Sequence, residues 1–126
     1  MSRKVFMAPN AVTAGPYSHA VDAGELLYLS GQTPIDPSTG KLLPGDIGAQ
    51  TEQCFKNLAV VLGAAGLSLE DVVKVNVFLT DMGNFAAMNA VYAKQFNAPY
   101  PARTTIGVAS LPLGAIIEIE MIARRG

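Results

Sequence analysis

The chain has 126 residues, half of them hydrophobic and 15% charged, with a formal net charge of −1. Such a length and apolar content suit one compact domain spanning residues 1–126 with a real core, and they exclude a disordered chain. The near-neutral charge, with no Lys/Arg-rich run, removes the electrostatic footprint of a nucleic-acid binder, and no apolar run is long enough to span a bilayer.

The start Met-Ser-Arg-Lys-Val-Phe-Met runs into Asn and Pro residues rather than a signal-peptide core, so the protein is expected in the cytoplasm. Val5 to Met7 predicts a short first strand. After a loop from Pro9 to Pro16, His19 to Ser30 reads as a hairpin turning at Asp22-Ala23-Gly24. Pro34 to Gly45, with Pro37, Gly40 and Pro44, is expected to be a polar loop ending at Asp46, a good N-cap. From there Ile47, Thr51, Cys54, Phe55, Leu58, Val61, Leu62 and Ala65 recur at helical spacing, and Gly66 stands where a left-handed residue ends a helix.

Ser68 to Asp71 is a cap-like turn, and Val72 to Leu79 alternates as a strand, placing Val73, Val75, Val77 and Leu79 opposite Val72, Lys74, Asn76 and Phe78. A second helix, starting near Asp81 or Asn84, carries the stripe Phe85, Met88, Tyr92 and Phe96, read as core, before Pro99 and Pro101 forbid its continuation. Strands Ala102 to Val108 and Ala115 to Ala123 complete the order β-β-β-α-β-α-β-β. This is an α+β domain, a mixed sheet with two helices on one face. Its other face, with Val72, Phe78, Ile116 and Ile122, is too apolar to leave in water and calls for another subunit.

The chemistry has few places to sit. Cys54 falls inside the helical pattern as a small buried hydrophobe, and the lone His19 has no Cys/His partners at metal-ligand spacing, so no metal is expected. GxGxxG, Walker lysine and GxSxG motifs are missing, so any catalysis uses simple side chains. What stands out is Pro101-Ala102-Arg103-Thr104-Thr105 with Ile117-Glu118-Ile119-Glu120, one arginine and two carboxylates on what read as neighbouring strands. Alternation sends Arg103 and Thr105 to one face, and Glu118 and Glu120 to one face between Ile116 and Ile122. Arginine pairs bidentately with a carboxylate of a side chain or of a small ligand. On residue types alone an ordinary intrachain salt bridge is the commoner reading.

Taken in order, Gly15-Pro16-Tyr17-Ser18, Ser30-Gly31-Gln32, Ala64-Ala65-Gly66-Leu67, Asn89, Pro101-Ala102-Arg103 and Ile117-Glu118-Ile119-Glu120 resemble the motifs of the reactive intermediate deaminases, the YjgF/RidA family, nearly end to end. The resemblance implies a chorismate-mutase-like subunit in a homotrimer, with sites between subunits. It also implies cofactor-independent hydrolysis of enamine/imine intermediates such as 2-aminoacrylate and 2-aminocrotonate to 2-keto acids and ammonia. By position, Arg103 would clamp the substrate carboxylate and Glu118 would hold and polarise the attacking water. Glu120 would tune Glu118 or serve structure, and Tyr17 would donate its hydroxyl. Ser30, the Gly31 backbone, Asn89 and Thr105 would shape the pocket. Thr104 and Thr105 stand where many members carry Ser, Ala or Cys, which leaves the subfamily open. Two alternatives stay open as well: a 2-keto-acid or amino-acid binding module without turnover, and a translation-inhibiting ribonuclease of the kind described for some relatives, which a net charge of −1 does not favour.

Overall fold

The computed structural model describes residues 2–9 and 15–126. Of the loop expected from Pro9 to Pro16, positions 10–14 lie outside the described residues. Strands β1 (Lys4–Phe6), β2 (Ala20–Asp22) and β3 (Leu26–Gln32) form an antiparallel meander, in which β2 and β3 are the expected hairpin. Its second turn is shaped by Gly24 at φ 97°, whose N–H donates to Asp22 Oδ1 at 2.8 Å. The stretch from Pro34 to Gly45 is more ordered than a polar loop. It folds back as a small hairpin, β4 (Ile35–Asp36) with β5 (Lys41–Leu42), and Asn57 Nδ2 of the following helix donates to the carbonyls of Thr33 and Ile35 at 3.2 and 2.9 Å.

Helix α1 (Ile47–Ala64) begins at Asp46, whose side chain accepts from the Ala49 N–H at 2.9 Å. It ends in a Schellman arrangement: the Leu67 N–H reaches the Leu62 carbonyl, the Gly66 N–H reaches that of Gly63, and Gly66 adopts φ 76°. Ser68 and Asp71 form a capping box on a short 3-10 turn before β6 (Val72–Leu79). Helix α2 (Phe85–Ala93) follows a 3-10 turn capped by Asp81, and β7 (Ala102–Gly107) and β8 (Ile117–Arg124) close the chain. Both helices pack on one face of the sheet, where Leu27, Phe55, Leu58, Val75, Met88 and Ile119 lie in a single buried cluster. Cys54 is wholly buried there, and burial pushes its thiol up. No helix among the described residues is long and apolar enough to cross a membrane.

The strand order β1-β2-β3-β8-β6-β7 corrects the expectation that the arginine and acidic strands are neighbours. The α2 crossover lays β7 parallel beside β6, and β8 then inserts antiparallel between β3 and β6. Register also separates the faces. Arg103 and Thr105 stand beside Val75 and Val77, which face the helices, whereas Glu118 and Glu120 stand beside Phe78 and Asn76 on the opposite face. The intrachain salt bridge that residue types alone favour is therefore geometrically closed to Arg103.

A bulge makes a second correction. The register of β6 on β8 slips between Val72 and Lys74, so Val72 turns into the core while Val73 points outward at 41% exposure. Strict alternation assigned these two valines to the wrong faces. The open face keeps Phe78 and Ile122, partly buried, with Tyr28 and Ile106 exposed.

Candidate functional site

Two clefts hold the residues with chemistry. The first, about 500 Å³, opens over the β3–β8 pair beside the turn before β8, and is lined by Tyr17, Ser30, Gly31, Leu113, Glu118 and Glu120 among others. A second bulge places it: the register of β3 on β8 shifts between Leu29 and Gln32, at Ser30 and Gly31. Gly31 is needed there for space, since a Cβ would sit 2.7 Å from Glu118 Oε2. The Ser30 hydroxyl donates to the Ser18 carbonyl at 2.6 Å and its N–H to the His19 carbonyl at 2.9 Å, which tethers β3 to the segment carrying Tyr17. His19 is buried and accepts the Ala8 N–H on Nδ1 at 3.0 Å. Tyr17 is 41% exposed.

Within this cleft the carboxylates differ. Asn76 Nδ2 donates to Glu120 Oε2 at 3.0 Å from the adjacent strand. Desolvation, and after it the charge of Glu120, raises the pKa of Glu118 from its ordinary value. Leu113 rims the cleft at φ 63°, a left-handed conformation costly for leucine, and remains 58% exposed. A carboxyl held this way can take and return a proton nearer neutral pH than a free glutamate.

The second cleft, about 480 Å³, lies on the helix side, at the edge strand β7, lined by Asn89, Tyr92, Ala93, Tyr100, Pro101 and Arg103. Arg103 Nη1 donates to Asn89 Oδ1 at 2.6 Å, and its Cζ lies 4.6 Å from the Tyr92 ring centroid and 5.5 Å from that of Phe85. Among the described residues the ion pairs are Lys56 with Glu52 and Arg125 with Asp22, and no carboxylate pairs with Arg103. Such a guanidinium is ready for an anion from outside the chain. No group of three His, Cys, Asp or Glu among the described residues is arranged to hold a metal ion.

Of the residues singled out in the sequence, Tyr17, Ser30, Gly31, Glu118 and Glu120 gather in the first cleft, and Arg103 and Asn89 in the second. Thr105 shares the Arg103 face but lines neither of these clefts; its Oγ1 is buried without a hydrogen-bond partner among the described residues. Thr104 points to the other face, where Lys74 Nζ donates to its hydroxyl at 2.9 Å. In the sequence Phe85 and Tyr92 carry only a core signal, although Asn89 shares their helical stripe. Asn76 and Leu113 carried no signal in the sequence.

A family model described as Endoribonuclease L-PSP matches residues 8–125. The chain belongs to this family, that of the RidA/YjgF proteins. A mouse relative named 2-iminobutanoate/2-iminopropanoate deaminase is 44% identical over 125 residues, 98% of this chain and 93% of the mouse protein. RidA from an Antarctic Psychrobacter superposes with a TM-score of 0.91 at 43% identity, covering 97% of this chain and all of that one. E. coli TdcF, solved with bound serine, superposes at 0.88 and 40% identity over 98% of this chain and 99% of its own. The two-helix α+β domain with a mixed sheet is thus the family's fold.

Proposed function

We propose that this protein is a cytoplasmic homotrimeric deaminase that hydrolyses reactive enamine/imine intermediates, 2-aminoacrylate and 2-aminocrotonate, to 2-keto acids and ammonia without a cofactor. The observation that carries this reading is the division of the machinery. A guanidinium with no carboxylate partner among the described residues and a glutamate of raised pKa occupy opposite faces of one sheet, so a ligand reaching both requires a second copy of the chain. The partly apolar open face is a surface such copies can bury. The mouse relative's name supports the reaction class.

In the proposed reaction Arg103 of one subunit holds the substrate carboxylate, orienting the imine carbon toward the acidic cleft of the next. Glu118 accepts a proton from water as the water oxygen attacks the carbon of the protonated imine and the C=N π electrons move to nitrogen, forming a neutral carbinolamine. Glu118 then returns the proton to nitrogen. The C–N bond breaks, ammonia leaves with its electron pair, and the hydroxyl gives its proton to the Glu118 carboxylate, leaving the 2-keto acid. Tyr17 stands at the same cleft to donate its hydroxyl to substrate or water, Glu120 raises the Glu118 pKa, and Ser30 and Gly31 shape the floor. Asn89 acts on the substrate through Arg103.

A second reading, a binding module for amino or 2-keto acids without turnover, draws on the relative that holds serine. One experiment separates the two. Imine generated in situ by a dehydratase should lose its spontaneous lifetime when the protein is added, with stoichiometric 2-keto acid and ammonia. Binding of 2-ketobutyrate with no acceleration over the spontaneous rate would establish the binding module instead.

A further inference from the structure

The arginine cleft is made by one face of α2. Phe85, Asn89 and Tyr92 fall at positions i, i+4 and i+7, a single helical stripe, and each takes a different part of the Arg103 guanidinium. The Arg103 Cζ lies over both rings, 4.6 Å from the Tyr92 centroid and 5.5 Å from that of Phe85, and Asn89 Oδ1 accepts Nη1 at 2.6 Å. Tyr92 is itself immobilised, its ring 5.7 Å from that of Phe55 and 5.2 Å from that of Phe96, and it is only 5% exposed. Nothing in this stripe carries a charge. A part-buried arginine is commonly balanced by a carboxylate, yet here the balance is made by two aromatic faces and a neutral amide. A guanidinium has five N–H donors, and among the described residues only Nη1 is engaged, which leaves the Nε and Nη2 edge as a fork.

We propose that Phe85, Asn89 and Tyr92 are positioning residues that hold Arg103 fixed in plane and without a counter-charge, so that its free edge selects a carboxylate ligand. The proposal rests on the reading that Arg103 receives the carboxylate of an imine or 2-keto acid, and it has three consequences. Aromatic faces grip a planar guanidinium but give a lysine ammonium no plane to align, so Arg103 is not exchangeable for lysine. The amide at Asn89 orients the group while leaving its charge for the ligand. An aspartate of the same shape would supply that charge from within and close the site to anions.

The test uses the full chain, with 2-ketobutyrate as probe. Arginine side-chain NMR of the unliganded protein reads the cradle without any ligand: the Arg103 Nη protons should give separate, slowly exchanging signals in the wild type, averaged by bond rotation in Phe85→Leu. Asn89→Asp should keep or raise the midpoint of thermal unfolding while weakening 2-ketobutyrate roughly tenfold or more, with KM for the anionic imine rising and kcat changing less. Three results overturn the proposal: Arg103 signals already averaged in the wild type, an Asn89→Asp protein that binds 2-ketobutyrate as tightly as wild type, or loss of binding only in step with lost thermal stability. A wild type that shows the restrained Arg103 but binds no 2-ketobutyrate overturns it as well, whereas one that binds 2-ketobutyrate without accelerating imine hydrolysis leaves the positioning role standing while the deaminase reading falls.

Discussion

The cleft around Glu118 and the cleft around Arg103 differ in sign, in the elements that build them and in what each lacks within one chain. The acidic cleft is a product of strand irregularity: a bulge at Ser30-Gly31, a missing Cβ, a left-handed Leu113, and a carboxyl whose pKa is raised by burial and by Glu120. The basic cleft is a product of regularity, three side chains on one helical stripe closing around a guanidinium. The difference teaches why the chain keeps them on opposite faces. An arginine beside Glu118 would pull its pKa down and spend its own charge on it, leaving neither a carboxyl of raised pKa nor a free anion receptor.

The largest effect should come from the acidic side. Glu118→Gln is expected to lower the rate of imine hydrolysis by roughly a hundredfold or more while 2-ketobutyrate still binds. Its stability should move the other way. The raised folded pKa of Glu118 means that its contribution is fully present below the ordinary carboxylate pKa and is lost as pH rises through the folded value. At neutral pH the glutamine variant escapes that loss, so calorimetry should give an unfolding midpoint at or above wild type. A variant that unfolds, or keeps its rate, makes the carboxylate structural.

On the basic side, Arg103→Lys should cost about one to two decades in kcat/KM, the worth of an interaction with a charged group of about 1.5–3 kcal/mol. Mixing the two damaged proteins sharpens the comparison. If sites are shared, co-refolded Arg103→Lys and Glu118→Gln chains should recover part of the lost activity, because some junctions pair an intact arginine with an intact glutamate. Light scattering on the wild type should give three times the 13.2 kDa chain mass, and a monomer at micromolar concentration rules out the shared site.

Smaller effects probe how the acidic cleft is made. Gly31→Ala places a Cβ against the Glu118 carboxylate, which can swing aside, so activity should drop several-fold with little change in thermal stability. Glu120→Gln removes the charge that holds the Glu118 pKa up, and the acid limb of the kcat/KM profile should shift to lower pH. An unmoved limb would leave desolvation as the whole cause. Least of all, Leu113→Gly trades left-handed strain for chain entropy and should be neutral or stabilise by up to about 1 kcal/mol in denaturant titration.

Much of this molecule is written in short-range pattern. The Asp46 cap, the helical recurrence from Ile47 to Ala65, the Gly66 stop and the alternation of Ile117 to Ala123 each depend on residues within a few positions of one another, and each stands where the pattern puts it. The candidate residues were legible by type and order as well, from Tyr17 through Arg103 to Glu118. Their distribution was not. Whether β7 lies beside β8 or beyond β6 depends on pairing between distant segments, and a single extra residue at Val73 or at Ser30-Gly31 turns the following side chains to the other face. The stripe of Phe85 and Tyr92 reads as core in any helical pattern, and only the docking of β7 against α2 brings the arginine onto it. Side-chain identity and local conformation are properties of the sequence window, whereas the face on which a charge stands, and what it meets there, is set by long-range register.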